Sequence, residues 1–334
     1  MKRSLNEERV RSIATRVAFP LAAAAFFALL RAQPAGAQDI TAYAKECARK
    51  IAPVQEFDCL KGVEIPITVN LQPPPGYQPQ MNCDRPSLLY QAGENTDGSC
   101  VPFSRAIVLR DDAQAQIVAI CREKKIRDRE TKLFDEVDVI SHNVHTGSTC
   151  WFQAQAGEPL APNRGLFGTR VPSPEEPIGK KFWNTPAVTA KGNCVTCHDS
   201  DPFMYSPYIA QTRQLPADPF GKYANDIGAV FRAWEKPSAI STRGNTCVGC
   251  HRIANLTTCR QTVREAVGIV TSRGSDDWAR QYPNSHWMPP GNSMTEKQWD
   301  QIYSASVQKI FACCANPKAP ECEITPIRGA LPQK

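Results

Sequence analysis

The sequence predicts an α+β protein in two parts, of which the first is rich in disulfides and the second is mainly α-helical. Residues 38–156 contain short segments with strand-like alternation, separated by turns, and six cysteines. Two later segments, Ile227–Trp234 and the one that begins at Thr295, have apolar residues at helical spacing. A mixture of strand and helix patterns in separate stretches is typical of the α+β class.

The N-terminus has the pattern of a secretory signal peptide. Basic residues from Lys2 onward precede an apolar run from Val17 to Leu30, and Ala35-Gly36-Ala37 follows. The apolar run is shorter than the roughly 20 residues that a membrane anchor needs. We therefore expect cleavage after Ala37, export to the periplasm and no integral membrane segment in the mature chain.

The positive charge of the chain lies mostly in this leader. The whole chain carries a formal net charge of +6, and residues 1–37 contain six Lys or Arg residues and two Asp or Glu residues. The remainder is close to neutral and has no clustered basic segment of the kind that binds nucleic acid. We expect no nucleic-acid partner.

Several elements of the first part can be predicted from local pattern. Asp111 or Asp112 is placed to cap a helix that runs through Cys121. The other predicted elements are strands: a strand at Ile107–Arg110, and a hairpin of residues 136–144 and 149–155. For the six cysteines, pairing between neighbours along the chain is the simplest arrangement, namely Cys47 with Cys59, Cys83 with Cys100 and Cys121 with Cys150.

Two Cys-x-x-Cys-His motifs carry the chemistry of the second part. They are Cys194-Val195-Thr196-Cys197-His198 and Cys247-Val248-Gly249-Cys250-His251. This spacing is typical of c-type haem attachment, in which two thiols add to the vinyl groups of haem and the adjacent His binds the iron. We expect two covalently bound c-type haems, attached at Cys194, Cys197, Cys247 and Cys250, with His198 and His251 as iron ligands. Without the His, the same dithiol would suggest a redox or zinc site.

Residues 224–314 resemble a class I cytochrome c. The resemblance is carried by the Ile227–Trp234 helix, the second motif, the segment Trp287-Met288-Pro289-Pro290-Gly291 and the helix from Thr295. It implies that Met288 is the distal iron ligand of the second haem, with Met294 as the alternative. Four cysteines are additions to the family pattern, and we expect them to form two disulfides in which Cys313 and Cys314 have different partners: Cys259, Cys313, Cys314 and Cys322.

The predicted organisation follows from these features. Its parts are a signal peptide (1–37), a disulfide-stabilised α+β domain (38–156), a Pro- and Gly-rich linker or surface loop (157–181), a first haem-binding segment (182–223), a class I cytochrome c-like domain (224–322) and a tail (323–334).

The distal ligand of the first haem stays open at this level. The two motifs are too close in sequence for a complete cytochrome domain around each. The alternatives are a ligand from elsewhere in the chain, a backbone or solvent ligand, or an open site: the side chains considered are Met204, His142, His145, His286, Tyr205 and Tyr208.

Three functions are compatible with the sequence. The first is a periplasmic carrier that passes single electrons to an unidentified redox protein. The second is a haem enzyme with an open site at the first haem. The third is a binding module formed by the N-terminal domain, which presents a cytochrome domain to its partner.

Overall fold

The computed structural model describes residues 38–87, 96–157, 163–216, 218, 220–267 and 294–327. Helices and strands are both well represented, so the predicted α+β class is confirmed at this coarse level. The helices are α1 (Ile40–Lys50), α2 (Gly179–Phe182), α3 (Pro186–Lys191), α4 (Pro207–Ala210), α5 (Ala229–Arg232), α6 (Val263–Ala266) and α7 (Glu296–Ala315). The strands are β1 (Val63–Glu64), β2 (Arg105–Asp111), β3 (Ala115–Arg122), β4 (Leu133–Phe134), β5 (Glu136–Asn143), β6 (Thr149–Gln155), β7 (Leu166–Phe167), β8 (Ser238–Thr242), β9 (Ile253–Ala254) and β10 (Cys322–Pro326).

An antiparallel sheet in the order β1-β2-β3-β5-β6 forms the centre of the first part. The predicted strand at 107–110 and the predicted hairpin of 136–144 and 149–155 are confirmed as β2, β5 and β6. In β5 and β6, Val139 lies opposite Phe152, and both side chains are buried. Two segments with strand-like composition, separated by a short turn, are the signal that predicted this hairpin.

The predicted helix after Asp111 is wrong, because residues 115–122 form β3. The Asp112 carboxylate does accept backbone N–H bonds, from Gln114 and Ala115, each at 2.9 Å. These bonds close the turn between β2 and β3 instead of capping a helix. Asp side chains stabilise both kinds of turn, and the apolar run from Ile117 onward fits a buried strand.

The main hydrophobic core lies between this sheet and α1, and it includes residues from beyond position 180. Tyr43 of α1 is fully buried, and its ring lies 5.3 Å from that of Phe152 and 5.0 Å from that of Phe231. Trp183 and Ile227 belong to the same buried cluster. The segment around the first motif is therefore packed onto the N-terminal sheet.

All ten cysteines outside the two motifs form disulfides, which confirms the predicted set of five. The Cys83–Cys100 pair is confirmed, whereas Cys47 pairs with Cys150 and Cys59 pairs with Cys121. Neighbour pairing was wrong for these four because α1 packs against β6, which brings Cys47 to Cys150, whereas Cys59 reaches Cys121 in β3. Cys313 and Cys314 have different partners, as predicted: the pairs are Cys259–Cys314 and Cys313–Cys322.

In the second part, α7 begins with the predicted capping box between Thr295 and Gln298. The predicted helix at 227–234 is reduced to the single turn of α5. It begins after Gly228, whose φ of +78° is outside the helical region and favours glycine. A small sheet in the order β10-β8-β9, which the sequence did not predict, lies beside α7.

Among the described residues, no helix has the length and apolar character that crossing a membrane requires.

Candidate functional site: two Cys-x-x-Cys-His turns

Both Cys-x-x-Cys-His motifs fold into the same compact turn. Each begins with a single 3₁₀ turn, at Cys194–Thr196 and at Cys247–Gly249. The backbone N–H of His198 donates to the Cys194 carbonyl at 2.9 Å, and that of His251 donates to the Cys247 carbonyl at 3.0 Å. This bond closes one turn of backbone between the first cysteine and the histidine. Two segments with different surroundings have therefore taken one local geometry.

The four cysteines of the two motifs lie outside the disulfides. Cys194, Cys197, Cys247 and Cys250 form no disulfide, although every other cysteine does. Burial, together with the nearby Asp138 and Glu136 carboxylates, raises the pKa of the Cys194 thiol to about 12. A thiol with so high a pKa is a poor nucleophile for disulfide exchange, which sets it apart from the low-pKa thiols of redox catalysts.

The His198 imidazole is held in one tautomer. Its Nδ1 lies 2.9 Å from the Pro202 carbonyl oxygen, which can only accept a hydrogen bond, so Nδ1 carries the proton. Burial lowers the pKa of His198 to about 4, and the ring is therefore neutral at pH 7. Its Nε2 keeps a free lone pair, which is the state that a metal-binding imidazole requires.

Aromatic residues fix the position of this imidazole. The Trp151 ring of β6 contacts it edge-on, with centroids 5.3 Å apart. The indole N–H of Trp151 donates to Asn225 at 2.8 Å, and the Tyr223 hydroxyl donates to the His198 carbonyl at 2.6 Å. Tyr223 is itself 2% exposed. The first motif is thus anchored by the sheet on one side and by residues 223–225 on the other.

Charged residues of the sheet surround the same site. Arg122 of β3 forms an ion pair with Asp138 of β5 at 2.9 Å, and Lys124 forms one with Glu136. Burial, reinforced by the Glu136 charge, raises the pKa of Asp138 to about 7. By strand alternation these side chains lie on the face opposite the buried Val137 and Val139. The first motif is therefore close to both positive and negative groups.

The second motif is anchored to α7. Asn245 donates to the Ser306 carbonyl at 2.8 Å, and the Ser306 hydroxyl lies 2.8 Å from the Thr246 hydroxyl. Asn245 also accepts the N–H of Cys247 at 3.0 Å and so links α7 to the first residue of the motif. Burial lowers the pKa of His251, although part of that residue is exposed in the described structure.

The residues that follow the two histidines are hydrogen-bonded to each other. No pattern in the sequence predicted this connection. Arg252 donates through Nε to the Ser200 carbonyl at 2.6 Å and through Nη1 to the Gly221 carbonyl at 2.7 Å. The Asp199 carboxylate, in a residue that is 0% exposed, accepts the Leu256 N–H at 2.9 Å. The two motifs thus share one polar core.

The candidate distal ligands of the first haem occupy different places. His142 is buried, its Nδ1 lies 3.0 Å from the Thr149 hydroxyl, and its ring contacts Phe203, next to Pro202. His142, Pro202 and Phe203 line one small cavity. Tyr208 is buried in a separate cluster, and the Tyr205 hydroxyl donates to the Leu215 carbonyl. The remaining candidates are half-buried (Met204), exposed (His145) or outside the described residues (His286).

Met288, the predicted ligand of the second haem, also lies outside the described residues, whereas its alternative Met294 is described and half-buried just before α7. In the described part of the chain, no group of three or more His, Cys, Asp or Glu side chains is arranged to hold a metal ion. The chain matches no known family model, no curated protein and no solved structure.

Proposed function

We propose that this chain is an exported dihaem c-type cytochrome that transfers single electrons between periplasmic redox partners. The observation that carries the proposal is the His198 turn. It combines two cysteines that form no disulfide, at the right spacing, with a neutral imidazole whose Nδ1 donates to the Pro202 carbonyl. Metal-ligating His residues almost always donate their second ring nitrogen to such an acceptor, which orients the ring and leaves the other nitrogen for the metal.

The donor set of both motifs fits a haem. A c-type haem needs two thiols for its attachment and one imidazole for its iron. The porphyrin supplies four further iron ligands, so a cluster of several metal-binding side chains is not required. Cys194, Cys197 and His198 meet this requirement, and Cys247, Cys250 and His251 repeat it. When bound, a haem would supply the one-electron couple of its iron, while the chain holds the group and excludes water from it.

For the second haem we propose the class I cytochrome c arrangement, with Met288 opposite His251. A thioether opposite an imidazole raises the reduction potential of iron and suits electron transfer. The long helix α7 and its contacts to the second motif through Ser306 agree with the helix that the resemblance implies. The short α5 and the sheet of β8, β9 and β10 depart from it.

Export agrees with the cysteine chemistry. Five disulfides within one chain are typical of proteins that fold in an oxidising compartment such as the periplasm. We propose that residues 1–37 act as the signal for this export and are removed after Ala37.

Haem attachment can be tested site by site. Replacing Cys194 and Cys197 with Ser should leave one covalent haem per chain, because the second motif is intact. The matched control replaces Cys83 and Cys100, a disulfide pair outside the motifs, and should keep two haems. Intact-mass spectrometry and absorbance of the denatured protein report both numbers. Two haems in the motif variant would refute the assignment of the first site.

A haem enzyme is the second candidate function, because several possible distal ligands of the first haem are engaged elsewhere. His142 is bound to Thr149, and the Tyr205 hydroxyl to the Leu215 carbonyl. An iron without a distal protein ligand can bind a small molecule. Carbon monoxide should then change the spectrum of the reduced protein at one haem. No change at either haem would exclude this candidate.

A further inference from the structure

The segments that follow the two histidines form one continuous polar core. Residues 199–201 come directly after His198, and Arg252 comes directly after His251. The guanidinium of Arg252 reaches the Ser200 carbonyl, the Gly221 carbonyl and, at 3.7 Å, the Asp201 carboxylate. A planar guanidinium can bridge several acceptors at once, which a lysine cannot do with the same geometry.

The Asp199 carboxylate makes the second half of this connection. Its Oδ2 accepts the N–H of Leu256 at 2.9 Å and that of Thr258 at 3.2 Å, and its Oδ1 accepts the Thr258 hydroxyl. The Ser200 hydroxyl donates to the Thr258 hydroxyl oxygen at 2.8 Å and accepts the Ala254 N–H at 3.2 Å. All these bonds run from the segment of the first motif to the segment of the second.

Apolar packing could join two segments at a lower cost. Burying a carboxylate or a guanidinium is costly unless hydrogen bonds compensate for the lost water, and such groups are poor sources of stability. What they provide is a fixed geometry, since each bond has a preferred length and direction. The connection between Asp199, Arg252 and Thr258 is therefore better explained by the need to hold two segments in register than by stability.

We propose that Asp199 and Arg252 are positioning residues that hold the two haem sites at a fixed separation, so that electrons pass between them within one chain. This inference rests on the proposed function. With haem bound at both sites, a single electron would pass from a ferrous iron at one site to a ferric iron at the other, and no proton or further reactant would be consumed. One hydrogen-bonded connection runs from His198 along the chain to the Ser200 carbonyl, and from there to Arg252 and His251.

The first test measures electron exchange in the protein with both haems. A light pulse delivers less than one electron per molecule, and absorbance follows its redistribution between the two haems. The expected rate is independent of protein concentration, because the exchange is intramolecular. A rate proportional to concentration would overturn the proposal. If the purified wild-type protein contained no haem, the proposed function would be overturned instead. The two failures are therefore distinguishable.

The second test uses a matched pair of variants at Thr258, which lies outside both motifs. Thr258→Val removes the hydroxyl that contacts Asp199 and Ser200, and it should slow the internal exchange severalfold. Thr258→Ser keeps the hydroxyl and should keep the wild-type rate. Arg252→Lys keeps the positive charge but loses the planar guanidinium that donates to two carbonyl groups at once. It should also slow the exchange. Unchanged rates in both Thr258→Val and Arg252→Lys would overturn the proposal.

A third measurement needs no haem chemistry. In the full chain, with and without haem, the amide hydrogens of Leu256 and Thr258 should exchange slowly with solvent, because both donate to Asp199. Asp199→Ala should raise their exchange rates severalfold. The control Arg232→Ala removes an exposed arginine that also donates to a backbone carbonyl and should leave them unchanged. Equal exchange in Asp199→Ala and wild type would overturn the positioning role.

Discussion

Replacing Tyr43 with Phe should destabilise the protein through a single hydrogen bond. The Tyr43 hydroxyl accepts the backbone N–H of Trp151 at 2.9 Å, at the edge strand β6 of the central sheet. Phe keeps the ring and its contacts with Phe152 and Phe231, so no cavity forms. The Trp151 N–H, in a residue that is 3% exposed, is left without its acceptor. An unpaired buried donor costs about 1–3 kcal/mol, and we expect the free energy of unfolding to fall by that amount.

Urea unfolding followed by tryptophan fluorescence measures this change. Tyr77→Phe is the matched control, since that ring packs edge-on against Phe103 at 5.6 Å in a half-buried position. Its loss of a hydroxyl should change the free energy of unfolding by less than about 0.5 kcal/mol. Equal effects of the two substitutions would contradict this prediction. The hydrogen bond to Trp151 would then stabilise the protein no more than the partly exposed hydroxyl of Tyr77 does.

Three further predictions concern the disulfides, the pH dependence and the second haem. Replacing both Cys47 and Cys150 with Ala should lower the free energy of unfolding in urea by about 4 kcal/mol. The bridge closes a long loop even though the Cys59–Cys121 disulfide within it stays intact. A loss under about 1 kcal/mol would contradict this. Burial lowers the pKa of His142 from 6.5 to about 4, so the folded state resists protonation, and His142 alone should lower stability by about 3 kcal/mol as the pH falls from 6.5 to 4. His142→Gln should remove that part of the pH dependence in urea titrations, and an unchanged slope would exclude His142 as its source. Met288→Ala should abolish the thioether charge-transfer band of the ferric protein, and a surviving band would rule out Met288 as the ligand.

Local pattern predicted those elements whose stabilising contacts are also local. The β5–β6 hairpin follows from two strand-like segments around a short turn, and α7 from the capping box at Thr295 and Gln298. The error at Asp112 has the same origin, since one carboxylate can close a β-turn or cap a helix and the choice depends on tertiary packing.

Long-range pairings could not be predicted, because no local signal encodes them. The Cys47–Cys150 bridge joins residues 103 positions apart, and the entropic cost of closing a loop changes only slowly with its length. Neighbouring cysteines are therefore only weakly favoured as partners. The pairing is decided by the packing of α1 against the sheet.

The two motifs of the candidate site could be predicted from the sequence, whereas their surroundings could not. The two motifs and their histidines could be recognised from spacing alone. The Pro202 carbonyl, the Trp151 ring and the connection from Asp199 to Thr258 could not, because these contacts depend on the folded backbone. The sequence also indicated that the second site was the better defined one. In the described residues the first motif has the fuller set of contacts, through Trp151 and Tyr223.

Intact-mass spectrometry of the exported protein is the most direct test of haem attachment and of the removal of residues 1–37. We expect a polypeptide that begins at Gln38 and carries two covalent haems, one on each Cys-x-x-Cys-His motif. Peptide mapping should assign one haem to Cys194 and Cys197 and the other to Cys247 and Cys250. A chain whose mass is that of the bare polypeptide, with these four cysteines unmodified or joined in disulfides, would contradict it.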